Sequence, residues 1–224
     1  IDYLIVHPFT KEFSRLSATQ FVRDILVNDL KTKKIIIGYD HRFGRNRNAN
    51  INDLVAFGNA LDFEVEEISA QEVDDVSVSS TKIRKALEEG DMKTANMYLG
   101  YNYMLTGSIV KGKGIGRKLN FPTANLSIPE EYKLIPKNGV YVVSSVLDGK
   151  TVFGMMNIGF NPTVEGKTKS IEINFFDFDQ DLYGKKIQID IIDRIRDEKK
   201  FNSLEGLQAQ LTKDRETSLS IISK

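Results

Sequence analysis

The sequence predicts two halves of different architecture: an α/β half with a parallel sheet over residues 1–102, then an antiparallel β-barrel or sandwich with a C-terminal helix over residues 103–224. Three observations predict this division. Short apolar runs alternate with helical patterns as far as Gly100. From Tyr103 to Ile195 strand-like runs follow one another with no helix between them, and after Ser203 the apolar residues return to helical spacing. Strand and helix in alternation imply a parallel sheet, whereas consecutive short strands imply antiparallel pairing.

In chain order, DYLIV (2–6) reads as a strand, and the segment 17–30 places Phe21, Val22, Ile25, Leu26 and Leu30 on one helical face. Ser17 with Gln20 gives that helix a capping-box start. IIIG (35–38) is a continuous apolar run of the buried parallel-strand kind, and Leu54, Phe57 and Leu61 mark a helix over 52–61. FEVEEI (63–68) is strand-like. SSTKIRKALEEG (79–90) opens on an N-cap serine and ends on a glycine, and Asp91 caps a further helix that ends at Gly100. In the second half YMLTGSIV (103–110), GVYVVSSVLD (139–148), TVFGMMNIG (151–159), SIEINFFDF (170–178) and KIQIDIIDRI (186–195) are β-rich, with Gly, Asn, Asp and Pro between them. Leu204, Leu207 and Leu211 place the last helix against the outside of this sheet.

Composition excludes several function classes. The 224 residues carry 31 Lys+Arg against 31 Asp+Glu, so the basic excess of a general nucleic-acid binder is missing. With no Cys there is no disulfide, thiolate metal site or Cys nucleophile, as fits a reducing cytoplasm. His7 and His41 are the only histidines, too few for a multi-His zinc centre. No apolar run approaches the ~18–20 residues of a membrane span, and no signal-peptide pattern opens the chain. The first residue is Ile rather than Met, and the chain reads as a fragment.

The stretch that carries chemistry is GKGIGRKLNFPTAN, residues 112–125. Gly112, Gly114 and Gly116 let the backbone approach a ligand closely, and Lys111, Lys113, Arg117 and Lys118 surround them with positive charge. Backbone N–H groups in such a turn, backed by cations, suit phosphate; a solvated hairpin tip has the same composition. Thr123 and Asn125 follow Pro122 at a spacing that sends both side chains to one side of a strand. An oxygen pair beside a phosphate loop is a partial shell for Mg²⁺, and a turn held by Asn125 explains the spacing equally well.

Taken with NGVY (138–141), NIGFNPT (157–163), SIEINFFDFDQDLYGK (170–185) and IRDEKKFNSLEGL (195–207), in that order, the stretch makes residues 103–224 resemble the riboflavin kinase domain, a β-barrel. Residues 1–102 resemble the later part of the FMN adenylyltransferase domain to which that kinase is fused in bacterial FAD synthases; the matching pieces are GYDHRFGRNR (38–47) and VSSTKIR (78–84). Asn120 stands where the family more often has Gly. The HxGH-type motif of the nucleotidyltransferases is not among these residues, since neither His7 nor His41 sits in one. The expectation is therefore an N-terminally truncated chain that makes FMN from riboflavin and no FAD.

The resemblance implies that Glu172 is the catalytic base; on the strand it alternates with Ile171 and Ile173 and so takes their opposite face. It implies ATP and phosphate binding at Gly112, Lys113, Gly114, Gly116, Arg117, Thr123 and Asn125, with Mg²⁺ at Thr123 and Asn125. Flavin contacts fall to Arg196 and Phe201. Asn157, Pro162 and Thr163 read as turn residues near the nucleotide. Ser79, Ser80, Thr81 and Arg84 are a remnant of the adenylyltransferase phosphate site, and Phe9, Asp40, Phe43 and Arg47 are leftover binding surface. The implied partners are riboflavin, its product FMN, ATP and Mg²⁺, with no nucleic acid and no membrane, in the cytoplasm; the oligomeric state stays open. The alternatives are a catalytically inactive flavin- or nucleotide-binding module, in which Glu172 has no task, and an RNA-binding barrel, against which the loop 111–118 lacks any aromatic residue.

Overall fold

A computed structural model describes residues 2–69, 72–73, 76–112, 114–163 and 166–223, without the side chains of 72, 73, 76, 77, 115, 118, 161–163 and 166–168. The chain forms two compact units, Ile1–Ser77 and Val78–Lys224.

The first unit contains α1 (Lys11–Ser14), α2 (Ala18–Gln20) continuing into π-type turns over Phe21–Asp29, β1 (Lys34–Gly38), α3 (Ile51–Leu61), β2 (Glu64–Ile68), and the short antiparallel pair β3 (Glu72–Val73) and β4 (Val76–Ser77). The capping box at Ser17 forms as expected: Gln20 N–H donates to Ser17 Oγ at 3.2 Å, and Ser17 N–H donates to Gln20 Oε1 at 3.0 Å. β1 and β2 pair in parallel, with Ile35 opposite Val65. Val22, Phe43, Ala49, Leu54 and Phe63 form the core of this unit. Two expectations fail. Residues 2–6 form no strand and lie exposed, because no strand among the described residues offers them a ladder. Leu30 leaves the apolar face: its N–H bonds to the carbonyl of Ile25, an i→i+5 bond, so each turn holds more residues than an α-turn and the stripe drifts.

The second unit begins with α4 (Ser80–Glu89) and α5 (Met92–Leu99), followed by β5 (Tyr103–Val110), α6 (Ile115–Lys118), β6 (Ala124–Ser127), β7 (Gly139–Leu147), β8 (Lys150–Thr163), β9 (Gly166–Phe175), β10 (Lys186–Arg196) and α7 (Leu204–Ile222). The six strands close into a barrel in the order β10-β5-β6-β9-β8-β7. This decides between barrel and sandwich. The closing strand is β6, a four-residue element that pairs with β5 on one side and β9 on the other. Leu105, Ile109, Tyr141, Val143, Met156, Ile158, Ile173, Ile189 and Ile191 pack in the principal core of this unit. Ala86, Leu87, Met92 and Ala95 join the same cluster, so α4 and α5, which periodicity groups with the first half, pack on the barrel. A helical pattern reports an apolar face but not which sheet covers it.

Ser203 caps α7 by accepting from the N–H of Gly206 at 3.1 Å. The helix lies over an outer cluster of Val140, Met155 and Phe176, to which Phe121, Leu211 and Ile222 add. Leu204, expected on the buried face, is exposed.

Candidate active site

The site is built on the outer face of β9. Ile171 and Ile173 are buried in the barrel core, so the period of two sends Glu172 outward between them. In register, Glu172 stands opposite Asn125 on β6 and Asn157 on β8. Opposed residues in antiparallel pairs share a face, so three polar side chains form a row across three strands. Asn157 is thus a mid-strand residue rather than a turn residue; the side chains of Pro162 and Thr163 lie outside the described residues.

The same strand grips the turn before β6 at two points. Thr123 Oγ donates to Glu172 Oε2 at 3.3 Å, and Asn174 Nδ2 donates to the Pro122 carbonyl at 2.8 Å. Asn174 is buried. Thr123, Asn125 and Glu172 are therefore brought together, as expected.

The glycine-rich segment sits against this row. A Cβ on Gly112 would overlap the amide of Asn125, and one on Gly116 would overlap the Phe121 carbonyl. Close backbone approach requires glycine at both positions. Gly114 has a φ of +70° and precedes α6. Asn120 adopts a φ of +61°, a left-handed conformation that glycine takes freely and asparagine tolerates better than most side chains. Arg117 is exposed, and Lys113 lies outside the described residues.

Two cavities meet at Thr123. One, of about 260 Å³, is lined by Thr123, Glu172, Asn174, Arg196, Phe201 and the apolar Val140, Met155, Leu207 and Leu211. The other, of about 600 Å³, is bordered by Arg117, Asn120, Pro122, Thr123, Phe178, Asp179 and Tyr183. Among the described residues Thr123 alone lines both. Arg196 holds Asp214 of α7 through Nε at 2.8 Å and Nη2 at 2.6 Å, and its Nη1 donates to the Asp197 carbonyl at 2.9 Å. The Arg194 guanidinium, with Lys137 beside it, holds the Asp197 carboxyl below the usual carboxylate range. Phe201 is half-buried, with Lys199 Nζ 5.7 Å from its ring centroid.

Ser79, Ser80, Thr81 and Arg84 line neither barrel cavity. Ser79 Oγ caps α4 by accepting from Lys82 N–H, and Arg84 Nη1 donates to Ser80 Oγ at 3.0 Å. In the first unit Phe9, Phe13, Phe21, His41, Phe43 and Arg47 line a separate cavity of about 380 Å³.

Sequence reasoning missed Asn174 and Asp214. The signals were present: Asn174 lies two residues beyond Glu172 on one strand face, and Asp214 continues the Leu207–Leu211 helical stripe. Among the described residues no cluster of three or more His, Cys, Asp or Glu could hold a metal. The chemistry on offer is a carboxylate, a hydroxyl and an amide beside a glycine-rich loop, which suits removal of a proton from an alcohol next to a bound phosphate.

Comparison with known proteins agrees with this chemistry. The riboflavin kinase family model matches residues 99–222, and the FAD synthetase model matches residues 1–82. A bifunctional riboflavin kinase/FMN adenylyltransferase of Listeria monocytogenes is 38% identical over 100% of this chain and 71% of its own length. One from Buchnera aphidicola is 40% identical over 95% of this chain and 68% of its own. A crystal structure titled as a macrolide-efflux protein from Streptococcus pneumoniae superposes with a TM-score of 0.83 and 34% identity, covering 94% of this chain and 67% of that one. No helix among the described residues is long and apolar enough to cross a membrane. The chain belongs to the bifunctional riboflavin kinase/FMN adenylyltransferase family, and its barrel is a riboflavin kinase domain whose substrates are riboflavin and ATP.

Proposed function

We propose that riboflavin occupies the 260 Å³ cleft and ATP the larger cavity beside the glycine-rich loop, with Glu172 as general base between them. The observation that carries this reading is Thr123, which lines both cavities and is hydrogen-bonded to Glu172. Val140, Met155, Leu207 and Leu211 give the cleft an apolar wall for a heteroaromatic ring, and Thr123, Glu172, Asn174 and Arg196 supply polar groups around it. Glu172 takes the proton of the riboflavin 5′-hydroxyl as that oxygen bonds to the γ-phosphorus. The bond from the γ-phosphorus to the bridging oxygen breaks, and ADP leaves with the electron pair. Gly112, Gly114 and Gly116 bring backbone N–H groups to the phosphates, and Lys113 and Arg117 add positive charge. Arg196 and Phe201 border the flavin ring.

Oxygen donors at Thr123 and Asn125, with no carboxylate cage among the described residues, fit Mg²⁺, which keeps waters and takes further ligands from substrate phosphates. When bound, Mg²⁺ neutralises phosphate charge. A binding-only module gains nothing from a carboxylate held against a hydroxyl at the junction of two cavities. We assign residues 1–102 to the adenylyltransferase-like part and 103–224 to the kinase. Ser79, Ser80, Thr81 and Arg84, at the start of α4, are a remnant phosphate-binding group, since a helix N-terminus favours anions. The absence of Cys supports a cytoplasmic setting.

Two variants separate the cavities. Phe201→Ala raises the KM for riboflavin about tenfold and leaves the KM for ATP within about twofold, since removing part of a buried aromatic contact costs roughly 1.4 kcal/mol or more. Gly112→Ala displaces the Asn125 amide and does the reverse. Steady-state kinetics with each substrate varied checks both; exchanged effects would reverse the assignment of the cavities.

A further inference from the structure

We propose that Asp214 is a positioning residue of the kinase reaction: its bidentate ion pair fixes the Arg196 guanidinium in the wall of the cleft, where a register break in β10 has delivered it. The inference rests on the reading of that cleft as the flavin site.

In a regular strand Arg194 and Arg196 would share a face. Here the ladder against β7 shifts between them, so that Arg194 opposes Tyr141 while Arg196 opposes Val140. Tyr141 belongs to the barrel core and Val140 to the outer cluster beneath α7. The bulge turns the two arginines to opposite faces. Arg194 lies over the Tyr141 ring at 5.9 Å and donates to the Asn138 carbonyl at 2.7 Å, whereas Arg196 faces α7. A bulge is the ordinary means by which a strand re-aims one side chain beside a site.

Asp214 receives Arg196 in a prepared place. It is 1% exposed, and its Oδ1 also accepts from Gln210 Nε2 at 2.9 Å. Ser218 Oγ donates to its backbone carbonyl at 2.7 Å. Among the described residues the guanidinium uses three N–H groups, two on Asp214 and one on the Asp197 carbonyl, which leaves one on each terminal nitrogen. Both partners line the cavity alongside Val140, Met155, Leu207 and Leu211, all apolar. Stability alone does not require this pair, because apolar residues of similar volume often replace a buried ion pair without loss. What an apolar pair cannot provide is a planar cation in one orientation at the cavity edge, with free donors for the ring carbonyls of an isoalloxazine.

Asp214→Asn isolates the carboxylate, and Arg196→Met combined with Asp214→Leu replaces the pair by apolar volume. Both are measured for thermal midpoint and for the KM of each substrate. The expected result is a riboflavin KM raised about tenfold or more in both, an ATP KM within about twofold of the parent, and a paired variant that folds and melts near the parent. A folded Asp214→Asn or paired variant with the parental riboflavin KM overturns the proposal. So does a paired variant that cannot fold, which would make the pair a structural brace. Phe201→Ala reports on the cleft alone: if it raises the riboflavin KM and the pair does not, the cleft reading stands and the role of Asp214 falls. If neither raises it, the cleft reading falls with it.

Discussion

Glu172→Gln lowers kcat for FMN formation by about 10²–10⁴-fold while riboflavin affinity stays near the parental value, the range expected when a positioned general base is removed. Glutamine keeps the size of the side chain and an oxygen that can accept from Thr123 Oγ, now 3.3 Å from the carboxylate. The row with Asn125 and Asn157 therefore keeps its shape, and the flanking Ile171 and Ile173 still anchor β9 in the barrel core. What the amide lacks is the ability to take the hydroxyl proton as the oxygen–phosphorus bond forms. Chromatographic measurement of FMN beside a fluorescence titration of riboflavin separates turnover from binding. A variant that binds and turns over within a few fold of the parent would leave Glu172 as an ordinary polar residue on an outer strand face.

Thr123→Ala reduces kcat/KM for ATP by about 10²-fold, with a much smaller change in riboflavin affinity. Thr123 is the described residue common to both cavities, so under the proposed assignment its hydroxyl meets the nucleotide side and the base at once. A hydrogen bond to a charged group contributes about 1.5–3 kcal/mol, and each 1.4 kcal/mol is a factor of ten. Asn125→Ala acts in the same direction and raises the Mg²⁺ concentration needed for half-maximal rate. Its amide lies against Gly112, so a smaller side chain also loosens the glycine-rich loop. ATP and Mg²⁺ titrations at saturating riboflavin check both variants; unchanged values in both would reduce residues 122–125 to a turn.

Much of the fold was legible because its elements are long and periodic. β5 begins and ends where its apolar run does, and α4 and α5 begin and end at their caps and glycines. What escaped was decided by partners distant in sequence. β6 is four residues long and is recognisable only by the strands on either side of it, yet it closes the barrel. DYLIV has strand composition and no ladder, and α4 and α5 carry apolar faces that the barrel rather than the first sheet covers.

The site divides in the same way. Alternation places Glu172 on an outer face, and spacing puts Thr123 and Asn125 on one side. Cross-strand register then joins the three, and no local pattern encodes register. Asn174 was within reach of the same alternation argument. The direction of Arg196 was not, because simple alternation sends it the same way as Arg194 and only the bulge against Val140 reverses that.

In the proposed mechanism the barrel moves the terminal phosphoryl group of ATP to riboflavin by way of Glu172. ATP labelled in its γ-phosphoryl group, incubated with the chain, riboflavin and Mg²⁺, tests it most directly. Label is expected in FMN in equal amount with the ADP formed, and is almost completely lost from FMN with Glu172→Gln. Label released as inorganic phosphate without labelled FMN, or labelled FMN formed at the parental rate by Glu172→Gln, would contradict it.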